Sequence, residues 1–132
     1  MDGTEGPAWV VLADGDDIGR ILDMLAANND QVGFIQESKA LDDDREALAT
    51  WFEEHGATIL LSASDTILAS GSGAMPVRSL LPSLRATWSV GIGRDISGAQ
   101  AALAVAKALG RNQWVDGSQW NVGGSSEAKS SY

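Results

Sequence analysis

The pattern of apolar and polar positions in the first part of the chain predicts a strand and then a helix. Residues 8–13 form a continuous, valine-rich apolar run, which is typical of a strand that is buried on both faces. An acidic segment, residues 14–17, ends the run. Beyond it, apolar residues recur at helical spacing up to the polar residues 28–30, so we predict an amphipathic helix. Its apolar positions are Ile18, Ile21, Leu22 and Leu25.

A second helical pattern precedes Gly56, a residue type that suits the position just after a helix. The pattern fits either one long helix or two shorter ones, and the spacing leaves that choice open. The acidic block of residues 42–44 is expected on or near the outer face. The apolar stripe consists of Phe34, Leu41, Leu48 and Phe52, with Ile35 and Trp51 beside it.

Two short β-prone runs, residues 58–61 and 66–69, predict a β-hairpin. Its polar loop is Ser62-Ala63-Ser64-Asp65. A Gly/Ser loop is predicted over residues 70–74. Pro76 then suits the first turn of a short helix over residues 77–84.

The last part of the chain predicts a strand, a helix and a final short strand. The strand covers residues 86–92 and contains alternating large apolar side chains. Ser97 is a suitable cap for a helix that runs to about Leu109, and a short strand follows over residues 113–115. The segment 117–132 is rich in Gly and Ser, which predicts a loose tail.

The predicted order of elements is β-α-α-β-β-α-β-α-β, whose core is the ferredoxin-like arrangement. The expected fold is therefore α+β, with a central, largely antiparallel sheet and helices packed mainly on one face. We expect an N-terminal extension over residues 1–7, one domain over residues 8–116, and a flexible tail over residues 117–132.

Composition and charge narrow the classes of function. The 132 residues include 9 basic and 18 acidic side chains, one histidine and no cysteine, with a net charge of −9. This acidity argues against binding to long nucleic acids, which requires clustered Lys and Arg. Disulfides and thiol chemistry are excluded. The chain has no signal-peptide pattern and no apolar run of bilayer length, so we expect a cytoplasmic protein without membrane insertion.

Carboxylates occur where two neighbouring strands of the predicted sheet end. Asp14, Asp16 and Asp17 follow the first strand, and Asp65 lies at the tip of the hairpin. Carboxylates on adjacent strands can hold two magnesium ions, an arrangement used in nucleotidyl transfer. An isolated Asp in either place is more typical of a helix cap or a turn, so the interpretation depends on all of them together.

Basic residues at the end of the last predicted helix offer contacts for phosphate. Lys107 and Arg111 can reach a triphosphate, and Asn112 follows them. Taken alone, these cations are better explained by their favourable interaction with the negative end of the helix dipole.

Four motifs occur in order along residues 8–116, and together they resemble a known palm domain. That palm is shared by GGDEF-type diguanylate cyclases and the polymerase of type III CRISPR systems. The size of the chain and its first motif are most similar to the minimal CRISPR polymerase (mCpol) family. The motifs are Asp14-Gly15-Asp16-Asp17-Ile18-Gly19, the hairpin 59–68, Ser89-Val90-Gly91-Ile92-Gly93, and Ala106-Lys107-x-x-Gly110-Arg111-Asn112.

The resemblance implies a metal-dependent nucleotidyl cyclase that joins NTPs, with ATP expected, into a cyclic di- or oligonucleotide signal in anti-phage defence. It implies Mg²⁺ or Mn²⁺ as cofactor, a homodimer because one palm binds one nucleotide, and an effector encoded nearby that responds to the cyclic nucleotide. Trp114 and Trp120 are candidates for the dimer interface or for docking of the tail. The implied catalytic residues are Asp14 and Asp65; the implied metal ligands are Asp14, Gly15, Asp16, Asp17 and Asp65; the implied nucleotide contacts are Gly19, Ser62, Ser64, Lys107, Arg111 and Asn112.

The hairpin departs from the family pattern, which is Gly-Gly-Asp-Asp or close to it. Both glycines are replaced, and Ser64 stands where the family has a metal-binding acid. Two interpretations follow: an active cyclase with altered metal ligation, or a palm that binds nucleotide without turnover as a sensor or interaction module. A receiver-like signalling domain and a plain protein-interaction module of ferredoxin-like fold are the rival classes.

Overall fold

The computed structural model describes residues 8–74 and 83–118. The helical pattern before Gly56 forms one continuous helix of 24 residues, which settles the choice that the spacing left open. Within the described ranges, no helix combines the length and the apolar character that crossing a bilayer requires. The elements are β1 (Ala8–Gly15), α1 (Ile18–Ala27), α2 (Gln31–Glu54), β2 (Thr58–Ala63), β3 (Thr66–Ser72), β4 (Trp88–Gly93), α3 (Ile96–Ala108) and β5 (Trp114–Asp116).

The five strands form one sheet in the order β2-β3-β1-β4-β5. The central strand β1 is antiparallel to both of its neighbours, β3 and β4, and only β5 runs parallel to its partner. The prediction of an α+β fold with a largely antiparallel sheet is confirmed. A receiver domain is excluded, because its sheet is parallel. In this register Asp14 lies opposite Thr66 on one side and Ser89 on the other.

Helices cover both faces of the sheet, whereas the sequence analysis expected them mainly on one face. Strand β4 alternates large and small residues, and all six are buried. Its large residues Trp88, Val90 and Ile92 join the core that α2 builds on one face. On the other face, Gly91 and Gly93 lie directly against the backbone of α3. The alternation has period two, so a strand buried at every position has a helix on each side.

Several element boundaries differ from the predictions. Strand β3 extends to Ser72, where a loop was expected, because it pairs with β1 along its whole length. The cap of α3 is Asp95 rather than Ser97: its Oδ1 accepts a hydrogen bond of 2.8 Å from Gly98 N. The predicted strand over residues 86–92 begins at Trp88.

Both ends of the predicted domain and its short helix are only partly covered by the described residues. The extension 1–7 and residues 77–82 of the short helix lie outside the described residues, and residues 83–84 are not helical. Of the predicted tail, Gly117 and Ser118 are buried in the domain, where Gly117 N donates to the carbonyl of Ile92 at 2.8 Å. Residues 119–132, including Trp120, lie outside the described residues.

Trp114 on the edge strand β5 is half-buried and packs on one side against the core. It packs against Phe52, with ring centroids 5.9 Å apart, and against Trp51, at 5.8 Å. Helix α2 thus covers one side of Trp114, which remains half-buried, and its expected contact with another copy or with the tail stays a prediction.

Asp44 contradicts the expectation that the whole acidic block lies on the outer face of α2. Its side chain is only 5% exposed. Its two carboxylate oxygens accept hydrogen bonds from the backbone N–H groups of Arg85 and Ala86, each 2.9 Å long. The carboxylate thus fastens the segment before β4 to the middle of α2, and these hydrogen bonds offset its burial.

We expect Asp44→Asn to lower the free energy of unfolding by about 1–3 kcal/mol, because an amide NH₂ would then face backbone donors. Chemical denaturation at neutral pH measures this. Asp43→Asn is the matched control: it removes the same charge from the exposed neighbouring position and should change stability by less than about 0.5 kcal/mol. Equal midpoints for the two variants would show that the Asp44 hydrogen bonds do not hold the fold together.

Candidate functional site

Three parts of the chain meet at one end of the sheet: the end of β1, the turn between β2 and β3, and the end of α3. Gly15 N donates a hydrogen bond of 2.9 Å to the carbonyl of Asp65, and Asp16 N donates to the carbonyl of Thr87 at 3.0 Å. The acidic segment after β1 is therefore held by backbone hydrogen bonds from both sides. Asp14 and Asp65 lie near each other, as the sequence analysis expected from adjacent strands.

The Asp14 carboxylate is the centre of this site. It is partly buried, and its Oδ2 accepts a hydrogen bond from the Lys107 ammonium of α3. Burial raises the pKa of Asp14 above its usual value, the bond to Lys107 opposes the shift, and the charge of Asp65 adds to it. The net shift is upward, chiefly because burial removes water from around the carboxylate and the Lys107 contact does not fully compensate for that loss. A group in that condition gains from a bound cation.

The predicted phosphate contacts come from the end of α3 and the turn after it. Lys107 lies in the last turn of the helix. Gly110, Arg111 and Asn112 follow with φ angles of 113°, 68° and 51°, so three successive residues adopt the left-handed conformation. This tight turn sets Arg111 beside the acidic segment, 3.7 Å from an oxygen of Asp17.

Strained backbone is concentrated at this end of the sheet. Five non-glycine residues of the described chain have positive φ, and four of them belong to this site. Such conformations cost free energy and persist where the surrounding structure enforces them, often at functional sites. The four residues are Asp17, Ser64, Arg111 and Asn112.

Asp16 is engaged inside the protein. Its side chain is buried and accepts hydrogen bonds from Thr87 Oγ1 at 2.8 Å, from Ser89 Oγ at 2.6 Å and from Asn112 N at 2.9 Å. Three protein donors share its two oxygens. Because one donor belongs to β4 and another to the turn that contains Arg111, Asp16 holds this turn against β4. Thr87 and Ser89 were not among the predicted site residues. The available signal was a serine within an otherwise apolar strand.

Asp17 and Gly19 lie on the exposed side of the site. Asp17 precedes α1 but makes no side-chain capping hydrogen bond. Its Oδ1 is instead 3.7 Å from Arg111 Nε and 4.0 Å from Arg20 Nε. Arg20 was not among the predicted site residues. Gly19 is exposed, and a Cβ added there would meet no atom within 4 Å, so the surface above it is open.

The hairpin turn is held by an arginine that the sequence analysis also missed. Arg45 of α2 donates through Nε to Ser62 Oγ at 3.2 Å and through Nη1 to the Ser64 carbonyl at 2.8 Å. The same nitrogen contacts Asp42 at 2.9 Å. Ser62 and Ser64, the predicted nucleotide contacts, are thus tied to α2, and Asp65 is the next residue in that turn. The contact between Arg45 and Ser64 joins residues 19 positions apart, and a contact over that distance produces no local sequence pattern.

We expect Arg45→Met to speed amide hydrogen exchange in the β2–β3 turn, because the variant keeps the aliphatic stem and loses the three donor contacts. Exchange in β1 and β4 should stay unchanged. Arg85→Met is the control: that guanidinium is exposed, and its carboxylate partner Glu37 lies at 3.8 Å, a kind of pair that contributes little. Unchanged exchange in the turn of the Arg45 variant would contradict its positioning role.

The donor set fits one kind of metal. Among the described residues, no group of three or more His, Cys, Asp or Glu side chains is arranged to hold an ion. Two carboxylates, Asp14 and Asp65, remain, together with backbone carbonyls such as that of Gly15. Magnesium is commonly held by one or two carboxylates and completes its shell with water and substrate phosphates. The residues present therefore fit a magnesium ion that arrives with a phosphorylated ligand.

Comparison with known proteins agrees with this architecture. The sequence profile of a protein family, mCpol, described as the minimal CRISPR polymerase domain, matches residues 10–116. The curated proteins contain no match. An EAL/GGDEF domain protein from M. capsulatus has a similar structure, with a TM-score of 0.57, 17% identity, and 89% of each chain covered.

The GGDEF domain of DgcB from Caulobacter crescentus, solved in complex with c-di-GMP, is also similar. Its TM-score is 0.54 at 17% identity, with 83% of this chain and 77% of that chain covered. At this identity the two structures establish the fold alone, the α+β fold of a GGDEF domain. The family profile covers most of the chain, and the chain therefore belongs to the minimal CRISPR polymerase (mCpol) family.

Proposed function

We propose that this palm joins nucleoside triphosphates, with ATP as the expected substrate, into a cyclic di- or oligonucleotide that signals in anti-phage defence. A sugar hydroxyl oxygen of one nucleotide bonds to the α-phosphorus of another; the bond from that phosphorus to pyrophosphate breaks, and the hydroxyl proton is released. The observation that carries the proposal is the contact of Lys107 with Asp14, because it brings a phosphate-binding cation and a metal-binding carboxylate to the same point.

Each residue of the site has a role in this proposal. Asp14, Asp65 and the carbonyl of Gly15 would hold Mg²⁺ or Mn²⁺, which when bound would polarise the α-phosphate and offset the charge of the leaving pyrophosphate. Lys107 and Arg111 contact the triphosphate. Asp16 positions Arg111 through its hydrogen bond to the next residue, Asn112.

Joining two nucleotides requires two of them to be bound, and the chain contains one palm. We propose a homodimer in which two copies present their nucleotides to each other, and an effector encoded nearby that binds the cyclic product. The acidic charge of the chain favours a small metal-bound nucleotide over long nucleic acid.

Incubation of the purified protein with each of the four NTPs and Mg²⁺ or Mn²⁺, followed by mass analysis of the products, tests the proposal. A cyclic oligonucleotide is the expected result, and its mass reports the base and the ring size. If the protein formed no product and bound no NTP in the presence of either metal, the proposal would be wrong, and an acidic interaction module would be the better account.

A second candidate function is binding of a nucleotide without turnover. The hairpin favours it, because neutral Ser64 replaces an acid and its carbonyl is already bonded to Arg45. The same experiment separates the two functions: metal-dependent NTP binding without any product identifies a sensor.

A further inference from the structure

The basic residues of the site are paired with carboxylates of the chain itself. Lys107 contacts Asp14, and Arg111 approaches Asp17. A bound ion would take over Asp14 and leave Lys107 for phosphate. Asp17 differs from Asp14 because its partners are two arginines, Arg111 and Arg20. A triphosphate that binds these arginines would have to displace the Asp17 carboxylate.

Three features of Asp17 distinguish it from a structural residue or a metal ligand. Its carboxylate does not cap α1. A single oxygen, Oδ1, faces the Nε atoms of both Arg111 and Arg20, at 3.7 and 4.0 Å. Its side chain is 47% exposed, and exposed ion pairs at such distances are weak and easily opened.

We propose that Asp17 acts as an anionic placeholder, which occupies Arg111 and Arg20 until the triphosphate replaces it. Arg20 is then a further phosphate contact of the site. This inference rests on the proposed function and adds to it, because it makes Asp17 a competitor of the nucleotide rather than a ligand of the metal. Because Asp17 competes for Arg111 and Arg20, the site binds the nucleotide less tightly than these two arginines would without it.

The test is the affinity of Asp17→Asn for Mg²⁺-tripolyphosphate and for Mg²⁺-ATP, measured by titration calorimetry. Tripolyphosphate reports the phosphate contacts without a base. The variant should fold, because asparagine tolerates the left-handed conformation of this position. We expect the variant to bind both probes two- to fivefold more tightly than the original chain, because the weak ion pairs of Asp17 with Arg111 and Arg20 no longer compete with phosphate. The gain should shrink at high salt, since exposed charges are screened.

Asp43→Asn is the matched control, since it removes the same charge from an exposed position on α2 and should leave both affinities unchanged. Adding Arg20→Gln to the Asp17→Asn variant should remove part of the gain, because the freed Arg20 is the new phosphate contact.

The outcomes separate the inference from the proposed function. Weaker binding by Asp17→Asn would overturn the inference and make Asp17 a metal ligand. Equal binding would overturn it as well. An original chain that binds neither probe in the presence of Mg²⁺ would overturn the proposed function, and this inference with it.

Discussion

Replacement of Asp14 by asparagine is expected to weaken Mg²⁺-dependent ATP binding at least about 100-fold and to abolish formation of any cyclic product. The size of the effect exceeds that of removing a group which merely supports a metal ligand, typically 10- to 100-fold. The reason is geometric: Asp14 lies at the end of the central strand, between Asp65 and Lys107, and the loss of its charge removes one of the two carboxylates proposed to hold the ion.

The same variant should fold at least as well as the original chain at neutral pH. Because burial raises the pKa of Asp14, its ionisation is less favourable in the folded state than in the unfolded state. The carboxyl therefore costs stability as the pH rises through and above its unfolded pKa, and a neutral amide avoids that cost. Loss of the Lys107 contact acts in the opposite direction, but the upward shift already includes it.

Titration calorimetry with Mg²⁺-ATP and a thermal melt of the same sample measure both effects. Asp43→Asn again serves as the control for net charge. An Asp14→Asn protein that melts normally and still binds Mg²⁺-ATP with the original affinity would refute the assignment of Asp14 as a metal ligand. A protein that fails to fold would instead refute the stability argument.

Gly91→Ala is expected to give the largest loss of stability among single substitutions considered for this fold, about 3 kcal/mol or more. A Cβ on Gly91 would lie 2.2 Å from the carbonyl oxygen of Ala99 and 2.2 Å from Leu103 N. Both atoms belong to the backbone of α3, so no side-chain rotation relieves the clash. The helix would have to move away from β4, and Lys107 would move with it.

Chemical denaturation of Gly91→Ala and Gly19→Ala isolates this effect. Gly19 lies in α1 with open space around its Cβ position, so alanine there should raise stability by about 0.4–1 kcal/mol through the unfolded chain. A Gly91→Ala midpoint equal to that of the original chain would contradict the close packing of α3 on β4.

Local patterns were sufficient for most of the elements. Patterns of neighbouring residues predict the continuous apolar run of β1, the hairpin, and the helix that ends before Gly110. The acids at the ends of two strands could also be recognised, because adjacent strands carry their ends to the same edge of a sheet. These features depend on spacing within about ten residues, which the sequence displays directly.

The tertiary structure decided what each polar side chain does. Asp16 and Asp17 are neighbours, yet one is buried and accepts a hydrogen bond from a residue 96 positions away, whereas the other is exposed beside two arginines. Asp17 has a left-handed backbone conformation, with φ 59°, which turns the chain just after Asp16 so that the two side chains point to different surroundings. Asp44 likewise reaches a loop 41 residues away.

Such partners leave no periodic trace, because a hydrogen bond between distant segments constrains only the residues that make it. The placement of α3 opposite α2 has the same origin. The small residues of β4 permit a helix on that face, but only the assembled sheet determines that α3 occupies it and carries Lys107 to Asp14. The sequence by itself determined most of the strands and helices and the acidic edge of the sheet. Long-range packing determined which carboxylate faces a cation, which one holds a turn, and which one is left to compete with a ligand.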